Sequence, residues 1–240
     1  MGLDDYLNKI TCGDSREFLP KIMPLCKDRN CVIVSDPPFN VGYHYNEYKD
    51  NMEESEYLKF MAEIFTATDK CIIIHYPETL YKIAFEMKRF PSRVVSWVYN
   101  SNTPRQHRDI AFFGIEPDFT KVKQPYKNLN DKRIYERIKN GFDGCKLYDW
   151  WEINQVKNIN QEKWEHPCQM PLDVMKRIIG ILPEDSLIIE PFSGTATTCV
   201  AAKELGRDFI GIEISEEYCK IAEDRLNGID AHGQMSLFLR

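Results

Sequence analysis

The chain has 240 residues, a hydrophobic fraction of 43% and a formal net charge of −6. Its length suits one α/β domain, or such a domain with an insertion, and the charge excludes a uniformly basic nucleic-acid-binding protein. The sequence has no run of about 18 apolar residues and no signal-peptide pattern at its N-terminus, so we predict no transmembrane helix and expect a cytoplasmic protein.

Strand and helix patterns alternate along most of the chain. Hydrophobic periodicity predicts strands at 9–13, 31–35, 70–75, 93–99, 109–115, 186–190 and 208–212. It predicts helices at 54–68, 78–88, 171–182, 195–205 and 216–226. This order predicts an α/β fold, with a doubly wound, mostly parallel sheet that helices cover on both faces.

The eight cysteines form no recognisable ligand or disulfide pattern. No two of them have C-x-x-C spacing, and Cys31 and Cys71 lie in apolar runs, so we expect reduced thiols that pack as small hydrophobic groups. His75 and His107 have no companions at metal-ligand spacing. We therefore predict no metal site and a structural role for both histidines.

A carboxylate and an aromatic ring follow the predicted strand 31–35 without a spacer. The stretch reads Asp36-Pro37-Pro38-Phe39. Proline cannot donate a hydrogen bond to a sheet and fixes its own backbone angle, so the strand must end here. The acid and the ring are therefore expected to be held rigidly at the end of a buried strand.

A βαβ pattern with a loop of small residues spans 185–226. Its first strand ends at Glu190, and Pro191-Phe192-Ser193-Gly194-Thr195 leads into the helix. Such loops lie at the carboxyl edge of the sheet, where α/β folds bind nucleotides, and Glu213 at the end of the next strand is placed to accept hydrogen bonds from ribose hydroxyls. The single glycine and the lack of G-K-[ST] disfavour NAD and ATP and favour a nucleoside cofactor without a pyrophosphate. Taken alone, the segment also fits an unrelated βαβ enzyme.

The region 117–165 interrupts the alternation with basic and aromatic residues. Between Phe119 and Lys146, eight basic and three acidic residues give a local charge of +5, so the rest of the chain carries −11. A basic segment on an acidic body can bind a polyanion, although charge alone also fits a solvated surface loop. We interpret 117–165 as an insertion between two halves of one domain, 1–116 and 166–227, with a tail at 228–240.

These motifs together resemble the S-adenosylmethionine-dependent DNA amino-methyltransferases, which modify adenine N6 or cytosine N4. Asp36–Phe39 is similar to their catalytic tetrapeptide and Pro191–Thr195 to their cofactor loop. His166-Pro167-Cys168-Gln169-Met170-Pro171 resembles the stretch before that loop, and Cys12-Gly13-Asp14 resembles an N-terminal Gly-Asp near the cofactor's adenine. The order of the motifs matches the subgroup whose catalytic motif comes first. Three positions depart from the pattern: Met170 for lysine, Ala196 for glycine and Glu190 for aspartate.

The resemblance implies a Rossmann-like methyltransferase fold and a role for each motif. The implied catalytic residues are Asp36, Pro37, Pro38 and Phe39. The implied S-adenosylmethionine-binding residues are Asp14, Asp36, Glu190, Pro191, Phe192, Ser193, Gly194, Thr195 and Glu213. The insertion is the implied target-recognition region, with Lys121, Lys123, Lys127, Lys132, Arg133, Arg137 and Lys139 as the expected contacts to duplex DNA.

Aspartate at the first position of the catalytic motif favours adenine, so we expect a site-specific adenine-N6 methyltransferase that flips its target base. Three alternatives remain open: cytosine N4, a catalytically silent relative, and methylation of RNA or a protein side-chain amide. An insertion of about 45 residues is small for complete site recognition. A second copy of the chain or a partner subunit is therefore a candidate partner, as is a cognate restriction endonuclease.

Overall fold

A computed structural model describes residues 2–43, 50–156, 164 and 169–229 of the protein. Eight strands form its central sheet: β1 (Lys9–Cys12), β2 (Asn30–Ser35), β3 (Cys71–His75), β4 (Arg93–Val98), β5 (His107–Phe113), β8 (Trp150–Glu152), β9 (Ser186–Glu190) and β10 (Phe209–Glu213). A separate two-stranded ribbon pairs β6 (Lys123–Gln124) with β7 (Cys145–Lys146).

The central sheet has the strand order β1-β10-β9-β2-β3-β5-β4-β8. The first five strands in this order, β1, β10, β9, β2 and β3, are all parallel to their neighbours within that group. Strand β4 also pairs in parallel with β8. Strand β5 runs antiparallel to both of its neighbours, β3 and β4. The mostly parallel sheet predicted from the sequence is therefore confirmed.

Helices cover both faces of this sheet. The α-helices in the described ranges are α1 (Ser15–Ile22), α2 (Glu54–Phe65), α3 (Pro77–Glu86), α4 (Lys132–Lys139), α5 (Leu172–Gly180), α6 (Thr197–Glu204) and α7 (Glu216–Leu226). Helices α1 to α3 bury apolar side chains against one face, and α5 to α7 do so against the other. Within these ranges, no helix is both long and apolar enough to cross a membrane.

Alternation along the buried strands creates the two apolar layers. In β2, Val32 and Val34 point to the layer under α5 to α7, whereas Cys31 and Ile33 point to the layer under α1 to α3. Since both faces are covered, the strand is apolar at every one of these positions. The continuous apolar run of β2 in the sequence therefore already indicates that helices cover both faces of this strand.

The predicted elements agree closely with the observed ones outside the insertion. Strand 186–190 and helix 216–226 have the same bounds in the structure. Helix α1 was not predicted: it has only eight residues and contains Pro20, which masks its helical pattern. Its core contacts, made by Leu19 and Ile22, stabilise it despite the proline.

The predicted insertion contains one strand of the central sheet. Residues 150–152 form β8, which pairs with β4 and places Trp151 in the core with 0% of its surface exposed. The adjoining segment is anchored as well, since Leu147 is buried and its backbone N–H donates to the Phe119 carbonyl at 3.1 Å. The predicted boundaries 117–165 therefore cut across the sheet edge. Residues 157–163 and most of the tail lie outside the described residues.

Gly114, directly after β5, is a position that requires glycine. Its φ is +67°, and a Cβ atom there would lie 1.9 Å from the Asp69 carbonyl oxygen. Gly206 has a similar φ of +65° but has no atom within 4 Å of such a Cβ. The two glycines share the left-handed backbone and differ in the available space.

We expect Gly114→Ala to lower the free energy of unfolding by at least about 2 kcal/mol more than Gly206→Ala, measured by urea denaturation. The control variant carries only the left-handed strain, roughly 1–2 kcal/mol, whereas Gly114→Ala adds a backbone collision. Equal losses in the two variants would show that the β3 and β5 ends separate easily.

Candidate active site

One cleft collects the predicted motifs at the carboxyl edge of the sheet. Strands β2 and β9 are parallel neighbours, with Ile33 paired to Ile189, so the residues that follow them emerge side by side. The cleft has about 1270 Å³ of empty space including its open mouth, and Asp36–Phe39 and Glu190–Thr195 line it together with Asp14 and Glu213. This is the topological switch point at which open α/β sheets bind ligands.

The loop between β9 and α6 bends sharply toward the cleft. The backbone N–H of Ser193 donates to the Ile212 carbonyl at 2.9 Å, which holds the loop against β10. Gly194 has a φ of +50°, and Ala196 has a φ of +60° at the N-cap of α6. The departure from glycine at position 196 is therefore an alanine in a left-handed conformation, which costs roughly 1–2 kcal/mol and leaves the turn intact.

Glu213 holds this loop in place. One of its carboxylate oxygens accepts the Gly194 N–H at 2.6 Å, and the other accepts the Ser215 N–H at 2.9 Å. Glu213 also lines the cleft. A carboxylate that lines a cleft can also accept hydrogen bonds from ribose hydroxyls, because it has about four lone-pair sites.

Glu190 is buried beneath the loop with 2% of its surface exposed. Its carboxyl accepts hydrogen bonds from the Ser35 and Thr198 hydroxyls and from the Phe192 N–H. Burial raises the pKa of Glu190 to about 8, so the group is largely neutral at pH 7. Its contacts tie β2, the loop and α6 together.

Asp14 and Ser15 bring the N-terminus of α1 to the same cleft. Asp14 caps α1 by accepting the Arg16 N–H at 2.8 Å, and its ion pair with Arg16 lowers the pKa of the carboxyl. The buried Ser15 hydroxyl donates to the Pro191 carbonyl and so joins α1 to the predicted cofactor loop.

A chain of hydrogen bonds fixes the backbone of the tetrapeptide. The Tyr57 hydroxyl donates to the Pro38 carbonyl at 2.7 Å and lies 2.9 Å from Nε2 of His75. Nδ1 of His75 accepts the Tyr76 N–H at 2.8 Å, so Nε2 carries the proton of the neutral ring and donates to Tyr57. Burial lowers the pKa of His75 to about 3, which keeps the ring neutral.

The Pro37 carbonyl differs from that of Pro38. No group in the described ranges donates a hydrogen bond to it. The tetrapeptide thus offers two acceptors, the Pro37 carbonyl and the Asp36 carboxylate, while the Pro38 carbonyl serves only to hold the backbone. His75, expected to be structural, supports the site through this network.

Asp36 is paired with a cation that sequence analysis missed. Nη1 of Arg108, at the start of β5, lies 3.4 Å from each carboxylate oxygen of Asp36, and the two side chains are 9% and 13% exposed. Burial raises the pKa of Asp36 to about 6, and the charge of Arg108 limits that rise. Arg108 lies 72 positions after Asp36, and nothing in the local sequence announces this contact.

Phe39 does not present an open ring in this structure. The ring stacks on His75 with centroids 4.2 Å apart, and the Arg108 guanidinium lies 4.5 Å from the Phe39 centroid. Tyr76 meets the ring edge-on at 5.0 Å. A base can therefore stack on the Phe39 ring only if one of these neighbours moves.

The basic residues of the insertion lie away from the cleft lining and are mostly exposed. Four of the seven candidates, Lys132, Arg133, Arg137 and Lys139, lie on α4, in which no side chain is buried. Among these four, Arg133 pairs with Asp131 at 3.0 Å and Arg137 donates to the Tyr126 hydroxyl at 3.1 Å. The remaining candidates also make contacts: Lys121 donates to the Leu182 carbonyl, Lys123 pairs with Asp143, and Lys127 lies 3.7 Å from the Trp150 ring centroid. These contacts do not neutralise the surface.

The cleft has the chemistry that S-adenosylmethionine requires. Asp14 and Glu213 both line the cleft, and Ile214 and Tyr218 add apolar surface to the same lining. The Glu213 carboxylate is the acid placed to accept hydroxyl hydrogens there, since both oxygens of Asp14 accept from Arg16. Asp36 lines the cleft next to the predicted acceptor site. Of the His166–Pro171 stretch, His166, Pro167 and Cys168 lie outside the described residues, while Gln169 and Met170 line the cleft.

Comparison with known proteins identifies the family. The N6_N4_Mtase family model, described as DNA methylase, matches residues 31–224. Type II methyltransferase M2.DpnII of Streptococcus pneumoniae is 42% identical over 254 residues, covering 92% of this chain and 91% of the relative. DNA adenine methyltransferase YhdJ of Escherichia coli K12 is 27% identical over 246 residues, and the alignment covers 90% of this chain and 81% of the relative.

A solved structure shares the fold. The PvuII DNA methyltransferase, described as cytosine-N4-specific, superposes with a TM-score of 0.62 at 17% identity, covering 90% of this chain and 85% of that one. The sequence-based expectation of a DNA amino-methyltransferase that uses S-adenosylmethionine is confirmed. The chain belongs to the S-adenosylmethionine-dependent DNA amino-methyltransferase family.

Proposed function

We propose that the protein methylates the N6 amino group of adenine in a specific duplex DNA sequence, on a base flipped into the cleft. The observation that carries this proposal is the meeting of the Asp36–Phe39 tetrapeptide and the Pro191–Thr195 loop in one cleft. Donor and acceptor sites are adjacent there because β2 and β9 are adjacent. Base flipping is required because an amino group within the duplex cannot reach such a cleft.

Asp36 and Pro37 act on the amino group as paired acceptors. The lone pair of an exocyclic amine is delocalised into the base, so the nitrogen is a weak nucleophile. Hydrogen bonds from its two protons to the Asp36 carboxylate and the Pro37 carbonyl favour a pyramidal nitrogen with an available lone pair. S-adenosylmethionine, when bound, supplies a sulfonium methyl group to that lone pair. The two acceptors stabilise the positive charge that develops on nitrogen, which is electrostatic preorganisation.

Asp36 is not required as a base before methyl transfer. A carboxylate with a pKa near 6 cannot remove a proton from a neutral aromatic amine, but it can accept one from the cationic nitrogen after the methyl group has bonded. The hydrogen bond from Tyr57 to the Pro38 carbonyl keeps the acceptors aimed during this change. The raised pKa of Asp36 suits a group that accepts a proton late.

Adenine is favoured over cytosine by the first residue of the motif. Within the family resemblance, aspartate at this position, here Asp36, favours adenine, whereas cytosine-N4 members more often carry serine. The Escherichia coli relative is named a DNA adenine methyltransferase, and its alignment covers 90% of this chain and 81% of the relative. These observations support adenine, and the product assay below includes cytosine as an outcome.

The remaining site assignments are part of the same proposal. Asp14, Asp36, Glu190, Pro191–Thr195 and Glu213 form the proposed cofactor site, with Glu190 acting as an internal support. The insertion is the proposed DNA-recognition region. Its exposed helix α4 combines positive charge with exposed apolar groups, including Tyr135 at 63% exposure, which suits a polyanion with stacked bases.

Further partners and the compartment are also proposed. A second copy of the chain or a partner subunit would enlarge the small recognition surface, and sedimentation with and without DNA tests this. We also propose a cognate restriction endonuclease, because the Streptococcus pneumoniae relative is named a type II methyltransferase. The test is whether DNA methylated by this protein resists cleavage by the proposed endonuclease. We propose the cytoplasm as the compartment, since the seven described cysteines are free thiols.

We expect the wild-type protein to transfer an isotopic methyl group from S-adenosylmethionine to mixed-sequence duplex DNA, giving N6-methyladenine on digestion to nucleosides. Asp36→Asn should lower the rate by at least on the order of 10²-fold, because the neutral amide stabilises the developing charge poorly. Cofactor binding by the variant, measured by calorimetry, is the control. N4-methylcytosine as the product would replace adenine with cytosine, and no methylated nucleoside would overturn the proposed function.

We expect kcat/KM for DNA to fall as the pH is lowered through about 6, about tenfold per unit at the limit. Burial raises the pKa of Asp36, so the protonated form, which has lost its charge, predominates below that pH. The measurement is the pH–rate profile at saturating cofactor. An acidic limb below pH 4 would show that Asp36 titrates like an exposed carboxyl.

We expect Lys132→Ala together with Lys139→Ala to weaken DNA binding regardless of sequence. If both lysines contact phosphate, the slope of log K against log salt becomes shallower by about 1.8, that is, about 0.9 for each lost contact. Lys220→Ala on α7 is the matched control and should leave the slope unchanged. Identical slopes for the wild type and the double variant would remove these two lysines of α4 from the DNA interface.

A further inference from the structure

Arg108 stands in the part of the cleft where the proposed acceptor base must bind. Because β5 runs antiparallel to β3, the start of β5 lies at the same sheet edge as the carboxyl ends of the parallel strands. The guanidinium is surrounded by aromatic rings, with centroids at 4.5 Å for Phe39, 5.3 Å for Trp97, 5.8 Å for Tyr76 and 5.9 Å for Tyr99. Only 7% of the residue is exposed.

The contacts of this guanidinium are those that an amino base needs. A flipped base must donate its amino protons to Asp36 and lay its plane against Phe39. The guanidinium is also planar, donates N–H groups to both oxygens of Asp36 and lies over Phe39. Since His75 already stacks on Phe39 at 4.2 Å, a base cannot stack on that ring while Arg108 keeps its position.

We propose that the Arg108 guanidinium occupies the target-base position of the DNA-free enzyme and is displaced by the flipped base. This inference rests on the proposed function and deepens it, because it names the residue that the base must replace. In the DNA-free enzyme the guanidinium thereby occupies the space between Asp36 and Phe39 that the flipped base takes over.

The contacts between the guanidinium and Asp36 are long. At 3.4 Å they exceed the 2.7–2.9 Å typical of charge-assisted hydrogen bonds, so each is weaker than a short ion-pair hydrogen bond. The incoming base restores a donor to Asp36 and a planar group to Phe39. The four rings around the guanidinium form an aromatic wall, to which Trp97 and Tyr99 belong. A guanidinium that moves toward Trp97 and Tyr99 keeps cation–π contacts.

A second reading of the same contacts has Arg108 remaining in place and serving only to keep Asp36 ionised. The two readings predict opposite effects of removing the guanidinium on binding of the free nucleoside. If Arg108 occupies the base position, its removal vacates the position and strengthens binding. If Arg108 stays and only supports Asp36, its removal leaves affinity unchanged or weakens it.

The test is titration of 2′-deoxyadenosine into the full-length protein saturated with S-adenosylhomocysteine. Arg108→Ala should bind the nucleoside at least about tenfold tighter than the wild type, because a site occupied by its own side chain binds in proportion to its vacant fraction. Arg108→Lys keeps a cation beside Asp36 but loses the planar group, so it should also bind tighter, by a smaller factor. It carries the test if Arg108→Ala does not fold.

Arg105→Ala is the matched control. Arg105 is exposed and lies 4.5 Å from the centroid of Tyr76, so it is a cation on the same aromatic wall. Its removal should leave nucleoside affinity unchanged. A gain in the Arg108 variants alone supports the proposal, whereas wild-type affinity or weaker binding in those variants overturns it. DNA methylation by the same wild-type preparation separates the two proposals: an active wild type with no gain overturns only this inference, and an inactive wild type overturns the proposed function.

Discussion

The parallel pairing of β2 with β9 is the constraint on which the site depends. These strands are separated by about 150 residues of chain, yet Asn30 to Ile33 pair in register with Ser186 to Ile189. A shift of one residue would turn each side chain of β2 to the opposite apolar layer, so burial on both faces specifies this register strongly. The same register sets Asp36 beside Glu190. Methyl-acceptor and methyl-donor sites are therefore assembled by the packing of the core.

Placing several carboxyl groups at one buried edge carries an electrostatic cost. The structure meets that cost differently for each group. Asp14 has Arg16 as an ion-pair partner and a lowered pKa, while Glu190 has neutral donors and a pKa raised to about 8. Asp36 lies between these cases, with burial raising its pKa and the Arg108 charge opposing the rise. Of the three, the acid at the acceptor site is thus the one whose pKa is raised by burial and which is still ionised at pH 7.

The supports of the tetrapeptide come from elements that are distant in sequence. Tyr57 belongs to α2, His75 to β3 and Arg108 to β5, and each touches the stretch Asp36–Phe39 or a residue that holds it. Prolines alone restrict the backbone but do not aim it. The tyrosine–histidine network aims it, and the guanidinium fills the space beside it. This is why a rigid turn of four residues can function as a preorganised acceptor.

The sequence by itself determined the fold class, most strand and helix positions and the motifs that line the cleft, because these depend on local periodicity and on residues adjacent in the chain. It also indicated the family, since Asp36–Phe39 and Pro191–Thr195 are contiguous motifs. Only the tertiary structure decided that Trp150–Glu152 completes the central sheet, that His75 supports the Pro38 carbonyl through Tyr57, and that Arg108 faces Asp36. Those three facts arise from contacts between distant segments, and no local pattern encodes such contacts.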